Sequence, residues 1–215
     1  QFKADQMDVT VEGYAVARGA KFYAAGIPLL YSPYVIYPTK RKRQSGFLIP
    51  SAGGSSRSGG MDSESFFWAI SEDKDATFTE TYYGNRGFKH GLEFRYARTT
   101  KSQGQLNLYY IHDRDYDDDS NRWAVIFRHD ELFNNGFYAK ADINKISDND
   151  YLIDFSNDIP GKSSTDARRE NTLKSKVTFG KNWSKYTFNG EFSYYDDLTQ
   201  RNNDYTTQRY PYLTL

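Results

Sequence analysis

From Phe66 to Leu215 the sequence alternates apolar and polar residues one by one, in segment after segment. Successive side chains of a β-strand point to opposite faces, so each segment predicts a strand with one apolar and one charged face. Six segments carry the alternation, at residues 88–96, 105–110, 122–128, 137–144, 173–179 and 185–194. We find no helical periodicity between residues 61 and 215. The sequence therefore predicts an all-β fold of up-and-down hairpins.

Polar stretches rich in turn-forming residues separate these segments and predict the connections between strands. They lie at residues 84–87, 113–121, 147–150, 160–166 and 196–204. Tyr, Phe and Trp make up 17% of the chain. This composition favours strands, because aromatic side chains pack well on a pleated surface.

The first 50 residues differ from the rest, because they hold four of the six prolines. Residues 8–12 alternate as a strand and residues 22–25 favour another, while the prolines favour extended chain elsewhere. Residues 51–60 consist mainly of Gly and Ser, a composition typical of flexible linkers. We therefore divide the chain into residues 1–35, a Pro-rich, basic and Gly/Ser linker at 36–60, and a strand-rich part at 61–215.

Charge and hydropathy exclude several classes of protein. Lys and Arg number 28 and Asp and Glu number 28, so the formal net charge is zero. A nucleic-acid-binding protein or a polybasic membrane anchor normally carries a basic excess. No apolar run approaches the ~18 residues that a transmembrane helix needs. The chain holds no Cys, which removes disulfides, zinc–thiolate sites and thiol nucleophiles from this stretch.

Two all-β architectures produce strands with one apolar face. A soluble sandwich buries the apolar faces between two sheets. A transmembrane barrel turns them toward lipid, keeps a polar lumen and uses strands of ~9–11 residues with aromatic residues at the interfaces. The alternation by itself leaves both open, because the charged face suits either a wet lumen or the outer surface of a soluble sheet.

Short motifs follow one another from about Ala24 to Asp166 in an order and spacing typical of one family. They are Gly26-Ile-Pro-Leu-Leu-Tyr-Ser-Pro-Tyr34, Lys42-Arg-Gln-Ser-Gly-Phe-Leu-Ile-Pro50, Phe66-Phe-Trp-Ala-Ile70, Asp75-Ala-Thr-Phe-Thr79, Arg86-Gly87, Leu92-Glu-Phe-Arg-Tyr96 and Ser163-Ser-Thr-Asp166. The series resembles the LptD family of lipopolysaccharide (LPS)-assembly outer-membrane proteins, also called organic solvent tolerance proteins or OstA. The resemblance is looser afterwards, although Gln208-Arg-Tyr-Pro-Tyr-Leu213 again looks like a family strand.

The resemblance implies a fold and a location. Residues 1–35 would be the last strands of a periplasmic β-jellyroll. Residues 61–215 would be the first eight or nine strands of a large antiparallel transmembrane β-barrel of ~26 strands in the outer membrane of a Gram-negative bacterium. Because the remaining strands would lie beyond Leu215, this stretch should not insert into a membrane alone.

The resemblance also implies a function, which is the transport of LPS from a periplasmic bridge through a barrel with a lateral gate to the outer leaflet. The implied partners are LPS, the plug lipoprotein LptE in the lumen, a bridge protein of the LptA type at the jellyroll, and the barrel-assembly machinery. It implies no cofactor and no nucleic acid. A soluble carbohydrate-binding β-sandwich and an unrelated porin-like channel are the alternatives.

The first barrel strand is the expected gate. Residues 66–70 form an almost continuous apolar stretch, which suits a strand that meets acyl chains on one side and membrane on the other; packing against the jellyroll would explain it equally. The family commonly places prolines in its first two barrel strands, but the matching positions hold Ser65, Glu72 and Glu80. We expect the lateral gate and lipid path at Ser65, Phe66, Phe67, Trp68, Ile70 and Glu80.

Two charged sets complete the expected sites. LPS carries phosphates, with which Lys and Arg pair strongly, although a solvated basic linker would have the same composition. The candidate phosphate contacts are Lys40, Arg41, Lys42 and Arg43, with Arg57 nearby. The alternation sets a second group of charged residues opposite the apolar face, so that they would face the lumen of a barrel. These are Glu93, Arg95, Arg122, Arg128 and Lys140.

We find no enzyme motif, because Gly-x-Ser-x-Gly, the P-loop and His-Glu-x-x-His are all missing from the sequence. The acidic run at residues 113–119 invites a calcium interpretation. An EF-hand loop that starts at Asp113 would need Gly and Glu where Asp118 and Ala124 stand. We therefore expect a solvated loop there, no metal site and no catalytic residue.

The direction of the strands presents a conflict. A periplasmic amino-terminal domain followed by a first strand at residues 66–70 puts residues 71–74 outside and residues 113–121 in the periplasm. Barrels prefer short periplasmic turns and long outer loops. The long connections at 113–121 and 147–166 then fall on the periplasmic side. Either the strand count is off by one or the protein departs from this preference.

Overall fold

The computed structural model describes residues 2–10, 13–24, 27–38, 43–116, 120–200 and 202–215. The chain separates into two compact units, Gln1–Gln44 (the amino-terminal unit) and Ser45–Leu215 (the sheet unit). Both consist mainly of antiparallel β-strands, which confirms the predicted all-β class. None of the helices in the described residues is long and apolar enough to cross a membrane.

The amino-terminal unit is a small sheet centred on one long strand. Its strands are β1 (Phe2–Lys3), β2 (Gln6–Val9), β3 (Tyr14–Ala24) and β4 (Ile27–Pro38). β1 and β2 pair one after the other with one edge of β3, and β4 pairs with its other edge. β4 carries three prolines and is an edge strand of the described sheet, where a missing N–H need not interrupt a hydrogen-bond ladder.

The sheet unit is a single antiparallel meander in which neighbours in sequence are neighbours in space. Its strands are β5 (Gly46–Phe47), β6 (Ser51–Ser55), β7 (Gly59–Ser71), β8 (Lys74–Tyr83), β9 (Gly87–Thr99), β10 (Ser102–His112), β11 (Asn121–Leu132), β12 (Phe137–Ile146), β13 (Thr172–Asn182), β14 (Thr187–Asp197) and β15 (Arg209–Thr214). The predicted up-and-down hairpins are therefore confirmed.

The register of the strands separates the two predicted sets of side chains. Phe94, Leu106 and Phe127 are successive partners across β9, β10 and β11, on what we term the apolar face. Arg95 and Gln105 pair in the same way on the charged face. The apolar face is open: side chains between 37% and 55% exposed include Trp68, Phe78, Phe88, Trp123, Phe179 and Phe192. A soluble sandwich would cover this face with a second sheet, and the described part of the sheet unit contains none.

The first strand of the sheet lies earlier in the chain than the alternation indicated. β5 and β6 pair with the same edge of β7 and form one strand that is interrupted at residues 48–50. The Gly/Ser-rich residues 51–60, interpreted as a linker, are β6, a turn at 56–58 and the start of β7. Gly59 has a φ of +75°, which favours glycine in this turn. Composition alone cannot distinguish a Gly/Ser linker from a Gly/Ser hairpin.

This additional strand reverses the direction that the sequence alone gave to the later strands. The short turns at residues 72–73, 100–101, 133–136 and 183–186 lie at the end of the sheet where the sheet unit begins. The connections at 113–120, 147–171 and 198–208 are longer and lie at the opposite end. One strand, formed by β5 and β6, precedes the first strand that the sequence predicted. With the extra strand, the three long connections share one end of the sheet, where the short turns at residues 56–58 and 84–86 also lie, and the other end has short turns.

The connection between β12 and β13 is helical, although the sequence shows no helical periodicity after residue 61. It holds α1 (Tyr151–Asp154), a 3₁₀ helix (Ser156–Asp158) and α2 (Ser164–Arg168). Each is at most five residues long, too short for a 3.6-residue period to show in the sequence. A local signal was present, because Ser163 Oγ accepts a hydrogen bond from the Asp166 N–H as an N-cap does.

This helical connection, termed the insert (residues 147–171), packs on the charged face at the end with the long connections. One apolar cluster joins Ile111, Ala124, Ile126, Ile146 and Leu173 of the strands to Tyr151, Leu152, Phe155 and Ile159 of the insert. Ile111 and Arg122 are register partners, so this cluster shares its face with the predicted charged residues. The apolar core of the sheet unit therefore lies between the insert and the charged face.

Candidate functional site

A network of buried ion pairs lies beneath the insert. Arg122 on β11 contacts Asp113 at 2.8 Å, Asp154 at 2.7 Å and Asp148 at 2.8 Å. Arg86, in the turn between β8 and β9, contacts Asp113 at 2.5 Å and Asp154 at 2.9 Å. Four of the five side chains are at most 3% exposed. The network thus joins two turns, one strand and the insert.

The network holds the insert on the sheet by pairing charges that water no longer reaches. Each guanidinium lies against at least two carboxylates, so most of their hydrogen-bonding groups have partners. The Arg122 guanidinium also lies 4.1 Å from the centre of the Tyr116 ring, a cation–π distance. Removing one partner would leave an uncompensated buried charge, which is costly. These residues therefore act as a unit.

A second buried pair extends the network along the charged face. Lys89 Nζ lies 2.5 Å from Asp158 Oδ1, and the Tyr151 hydroxyl donates to Asp158 Oδ2 at 2.7 Å. Burial raises the pKa of Tyr151 far above its ordinary value, and the neighbouring Asp158 carboxylate raises it further. Tyr151 therefore stays neutral and remains a hydrogen-bond donor at physiological pH.

Sequence reasoning did not group these residues, because they are far apart in the chain. Asp113 was the first residue of the acidic run with a possible calcium role; it turns inward to Arg86 and Arg122 instead. Residues 117–119 of that run lie outside the described residues. In the part of the chain that the structure describes, no three His, Cys, Asp or Glu side chains are grouped to hold a metal ion.

The apolar side of the expected gate lies next to the interrupted first strand. Phe66 packs edge-on against Phe47 of β5, with 5.2 Å between ring centroids. Trp68 stacks on Phe78 of β8 at 6.5 Å. Trp68 and Ile70 are 46% and 39% exposed. The edge of the sheet thus presents two aromatic pairs, Phe47–Phe66 and Trp68–Phe78, on its apolar face.

The other expected gate residues divide between the two faces. Ser65 and Phe67 lie on the charged face, where Ser65 Oγ is 2.9 Å from Thr79 Oγ1. Glu80 lies on the apolar face of β8, with its carboxylate 2.7 Å from His90 Nδ1. β7 therefore carries aromatic side chains on both faces, as its sequence predicts.

The edge strand beside β7 has a sparse backbone ladder. β5 pairs with β7 at two positions and β6 at five, with Pro50 in the interruption. Leu48 N donates to Ser65 O at 2.8 Å inside the interruption, whereas the Ile49 side chain is 94% exposed. This edge is held to the sheet by fewer interactions than the strands behind it.

The five residues expected to face a lumen all lie on the charged face: Glu93, Arg95, Arg122, Arg128 and Lys140. Most pair with carboxylates on neighbouring strands. Arg95 Nε lies 2.8 Å from Asp75, and Arg128 Nη1 lies 2.8 Å from Asp142. The charged side chains on this face therefore mostly form ion pairs with side chains of neighbouring strands.

The structure describes one residue of the basic run. Lys40, Arg41 and Lys42 lie outside the described residues, and Arg43 is exposed. Arg57, which the sequence grouped with the run, lies in the turn between β6 and β7. Its Nε is 2.9 Å from Asp154 Oδ1 of the insert, so it belongs with the ion-pair network.

The sheet unit has one open apolar face and one face with many paired charges. Such a sheet is suited to separate an apolar phase from a polar one, as the sheets of outer-membrane proteins do. The family model described as LptD protein matches residues 15–215. The chain therefore belongs to the LptD family, as the motifs in its sequence indicated.

Individual relatives agree with this assignment. The LPS-assembly protein LptD of Mannheimia succiniciproducens is 35% identical over 179 residues, covering 81% of this chain and 22% of the relative. The LPS-assembly protein LptD of Actinobacillus pleuropneumoniae serotype 5b is 37% identical over 161 residues, covering 72% of this chain and 20% of the relative. The LPS-assembly protein LptD of Bordetella avium is 34% identical over 155 residues, covering 72% of this chain and 19% of the relative. The chain thus spans about a fifth of the length of these curated relatives.

Proposed function

We propose that this chain is part of an outer-membrane protein that moves LPS from the periplasm to the outer leaflet. The observation that carries the proposal is the family match over residues 15–215, and its relatives are named LPS-assembly proteins. The fold supports it, because a sheet with an open apolar face can lie against membrane lipid. In this role the protein binds and guides a lipid and catalyses no reaction.

In the complete protein the apolar face of the sheet unit contacts lipid and the charged face lines the lumen. The charged residues Glu93, Arg95, Arg128 and Lys140 then meet water, whereas Arg122 lies on the same face beneath the insert. The end with short turns faces the periplasm and the end with the insert faces outward, as barrels prefer. The amino-terminal unit lies in the periplasm as the end of a β-jellyroll. Further strands of the protein close the barrel.

The lateral gate lies at the edge formed by β5, β6 and β7. The two-residue and five-residue strands with Pro50 between them make a weak ladder that can part more easily than the rest of the sheet. The apolar surface of Phe66, Trp68 and Ile70 suits acyl chains. Ser65 and Phe67 line the charged side, where the lipid headgroup passes. The interruption replaces the family's prolines that residues 65, 72 and 80 lack.

The partners follow from the same role. LPS is the transported lipid, and its phosphates contact the basic run Lys40–Arg43 in the periplasm. The plug lipoprotein LptE occupies the lumen, a bridge protein of the LptA type docks at the jellyroll, and the barrel-assembly machinery inserts the chain. These partners are part of the proposal and rest on the family.

Photo-crosslinking in cells tests the gate. A photoreactive residue replaces Trp68 at the proposed gate, or Phe192 on β14 as a control. The two side chains are matched, since both are aromatic, lie on the apolar face and are 46% and 50% exposed. In cells that export LPS, we expect a strong LPS adduct at position 68 and a much weaker one at position 192.

Equal adducts at the two positions would contradict a gate at this edge, because any lipid-facing position would then capture LPS. The absence of adducts at position 68 and at position 67, on the opposite face of β7, would contradict the LPS path as a whole.

A further inference from the structure

Arg57 connects two parts of the sheet unit that are 97 positions apart in the chain. It lies at the tip of the first hairpin, which comprises β6, the turn at 56–58 and the start of β7. Its Nε contacts Asp154 Oδ1 at 2.9 Å, at the end of α1 in the insert. The Arg57 side chain is 58% exposed, whereas that of Asp154 is 3% exposed. A largely exposed cation therefore meets a buried carboxylate.

Asp154 is fixed without any help from Arg57. Arg122 Nη1 donates to its Oδ2 at 2.7 Å, and Arg86 Nη2 donates to its Oδ1 at 2.9 Å. Both guanidiniums are buried and are held by Asp113 as well. The carboxylate is thus a rigid anchor on the insert, and loss of Arg57 would not release it.

Beyond this ion pair, the tip of the first hairpin is held mainly by the turn at residues 84–86. Gly84 N donates to Gly60 O at 2.8 Å, and Asn85 N donates to Ser58 O at 3.2 Å. On its other side β6 has no neighbouring strand in the described sheet. The hairpin is therefore an edge element, and in the described part of the chain the Arg57–Asp154 pair ties it to the insert.

We propose that Arg57 is a positioning residue that ties the edge of the sheet to the insert and so limits how far the lateral gate opens. The inference rests on the proposed function, because it assigns a control element to the same gate. When Arg57 leaves Asp154, the hairpin loses its tie to the rigid anchor and moves away from the sheet more often. When the pair forms, the edge is held in place.

The test combines hydrogen exchange with lipid capture in the complete protein. Arg57→Gln removes the charge, and Arg57→Lys keeps a cation that can reach Asp154. Arg98→Gln is the matched control, because Arg98 is also 58% exposed and pairs with a less exposed carboxylate, Glu131. Amide exchange is measured for residues 51–60 and, as an internal reference, for β10 and β11.

We expect Arg57→Gln to speed amide exchange of residues 51–60 on the order of two- to fivefold, the range expected for loss of a partly exposed ion pair. β10 and β11 should be unchanged. The LPS adduct at position 68 should rise by a similar factor. Arg57→Lys should return the exchange rate of residues 51–60 and the LPS adduct toward their wild-type values. Arg98→Gln should change neither the exchange rate nor the adduct.

Unchanged exchange at residues 51–60 in Arg57→Gln would overturn the inference. Faster exchange with an unchanged LPS adduct would also overturn it, because the hairpin would then move without affecting the lipid. A wild-type protein that captures no LPS at position 68 would instead count against the proposed function. The exchange arm needs no lipid, so the two failures are distinguishable.

Discussion

Arg122 is a fully buried guanidinium held by three carboxylates, and its removal should be among the most damaging single changes in the sheet unit. Arg122→Met fills much of the space but leaves Asp113 and Asp154 short of a counter-charge. Breaking a buried pair in this way costs about 3–5 kcal/mol. Urea unfolding of the complete protein in detergent micelles measures the loss of free energy.

The control for this change is Arg98→Met, because Arg98 is largely exposed and exposed pairs contribute at most about 1 kcal/mol. Similar losses for the two variants would show that the network beneath the insert is no more than a set of surface pairs.

Tyr151 gives a prediction about pH. Its pKa is raised above the ordinary value of 10.0 by burial and by Asp158, so the stability it confers is complete below pH 10. Above that pH the unfolded chain loses the proton while the folded chain retains it. Stability from this residue then falls by about 1.4 kcal/mol for each pH unit.

Tyr151→Phe removes both the proton and the hydrogen bond to Asp158. At pH 7 the variant should be less stable than the wild type by about 1.5–3 kcal/mol, since the bond is to a charged group. The difference should shrink as the pH rises above 10. Unfolding free energies measured from pH 7 to 11 check this, and a constant difference would contradict the buried, neutral state of Tyr151.

At the scale of elements, a new charge should destabilise the protein much more on one face of the sheet than on the other. Val125 lies on the apolar face of β11, so Val125→Arg should cost about 2–4 kcal/mol if that face meets lipid. Gln103 is exposed on the charged face of β10, with Asp130 as its register partner. Gln103→Arg should change stability by less than about 0.5 kcal/mol. Equal effects on barrel stability would contradict the assignment of the faces.

The long strands could be predicted from the sequence, because alternation over six or more residues fixes both the element and its faces. The degree to which each side chain is buried could not be predicted from the sequence. Asn107 belongs to the charged face by alternation, yet it is 2% exposed and donates to Glu93. The insert was missed because its helices are too short to show a period. The β6 strand was missed because its Gly/Ser composition is also that of a linker.

The ion-pair network could not have been predicted from spacing at all. Its residues come from two turns, a strand and the insert, and only the meander brings them to one end of the sheet. Arg86 was visible as part of a family motif, and Asp113 as the start of an acidic run. Neither sequence signal shows that Arg86 and Asp113 pair with each other, because their pairing depends on the strand register and on how the insert folds back.

At the scale of the whole molecule, the two edges of the described sheet determine whether this chain can span a membrane by itself. β15 pairs only with β14, and β5 and β6 pair only with β7. Unpaired backbone groups are too costly in lipid, so a spanning sheet must close. If the proposed function is right, further strands of the complete protein close it; the relatives are about four times as long as this chain, since 161 aligned residues are 20% of one of them.

Closure leads to a prediction about the complete protein and the isolated sheet unit. The complete protein should need detergent for extraction from membranes, and it should migrate differently on a denaturing gel before and after heating, because a closed barrel resists unfolding by detergent. Residues 45–215 produced alone have two free edges, so their mobility should be the same with and without heating. A complete protein that stays monodisperse in buffer without detergent would contradict the membrane barrel, since its apolar face would then have found another cover.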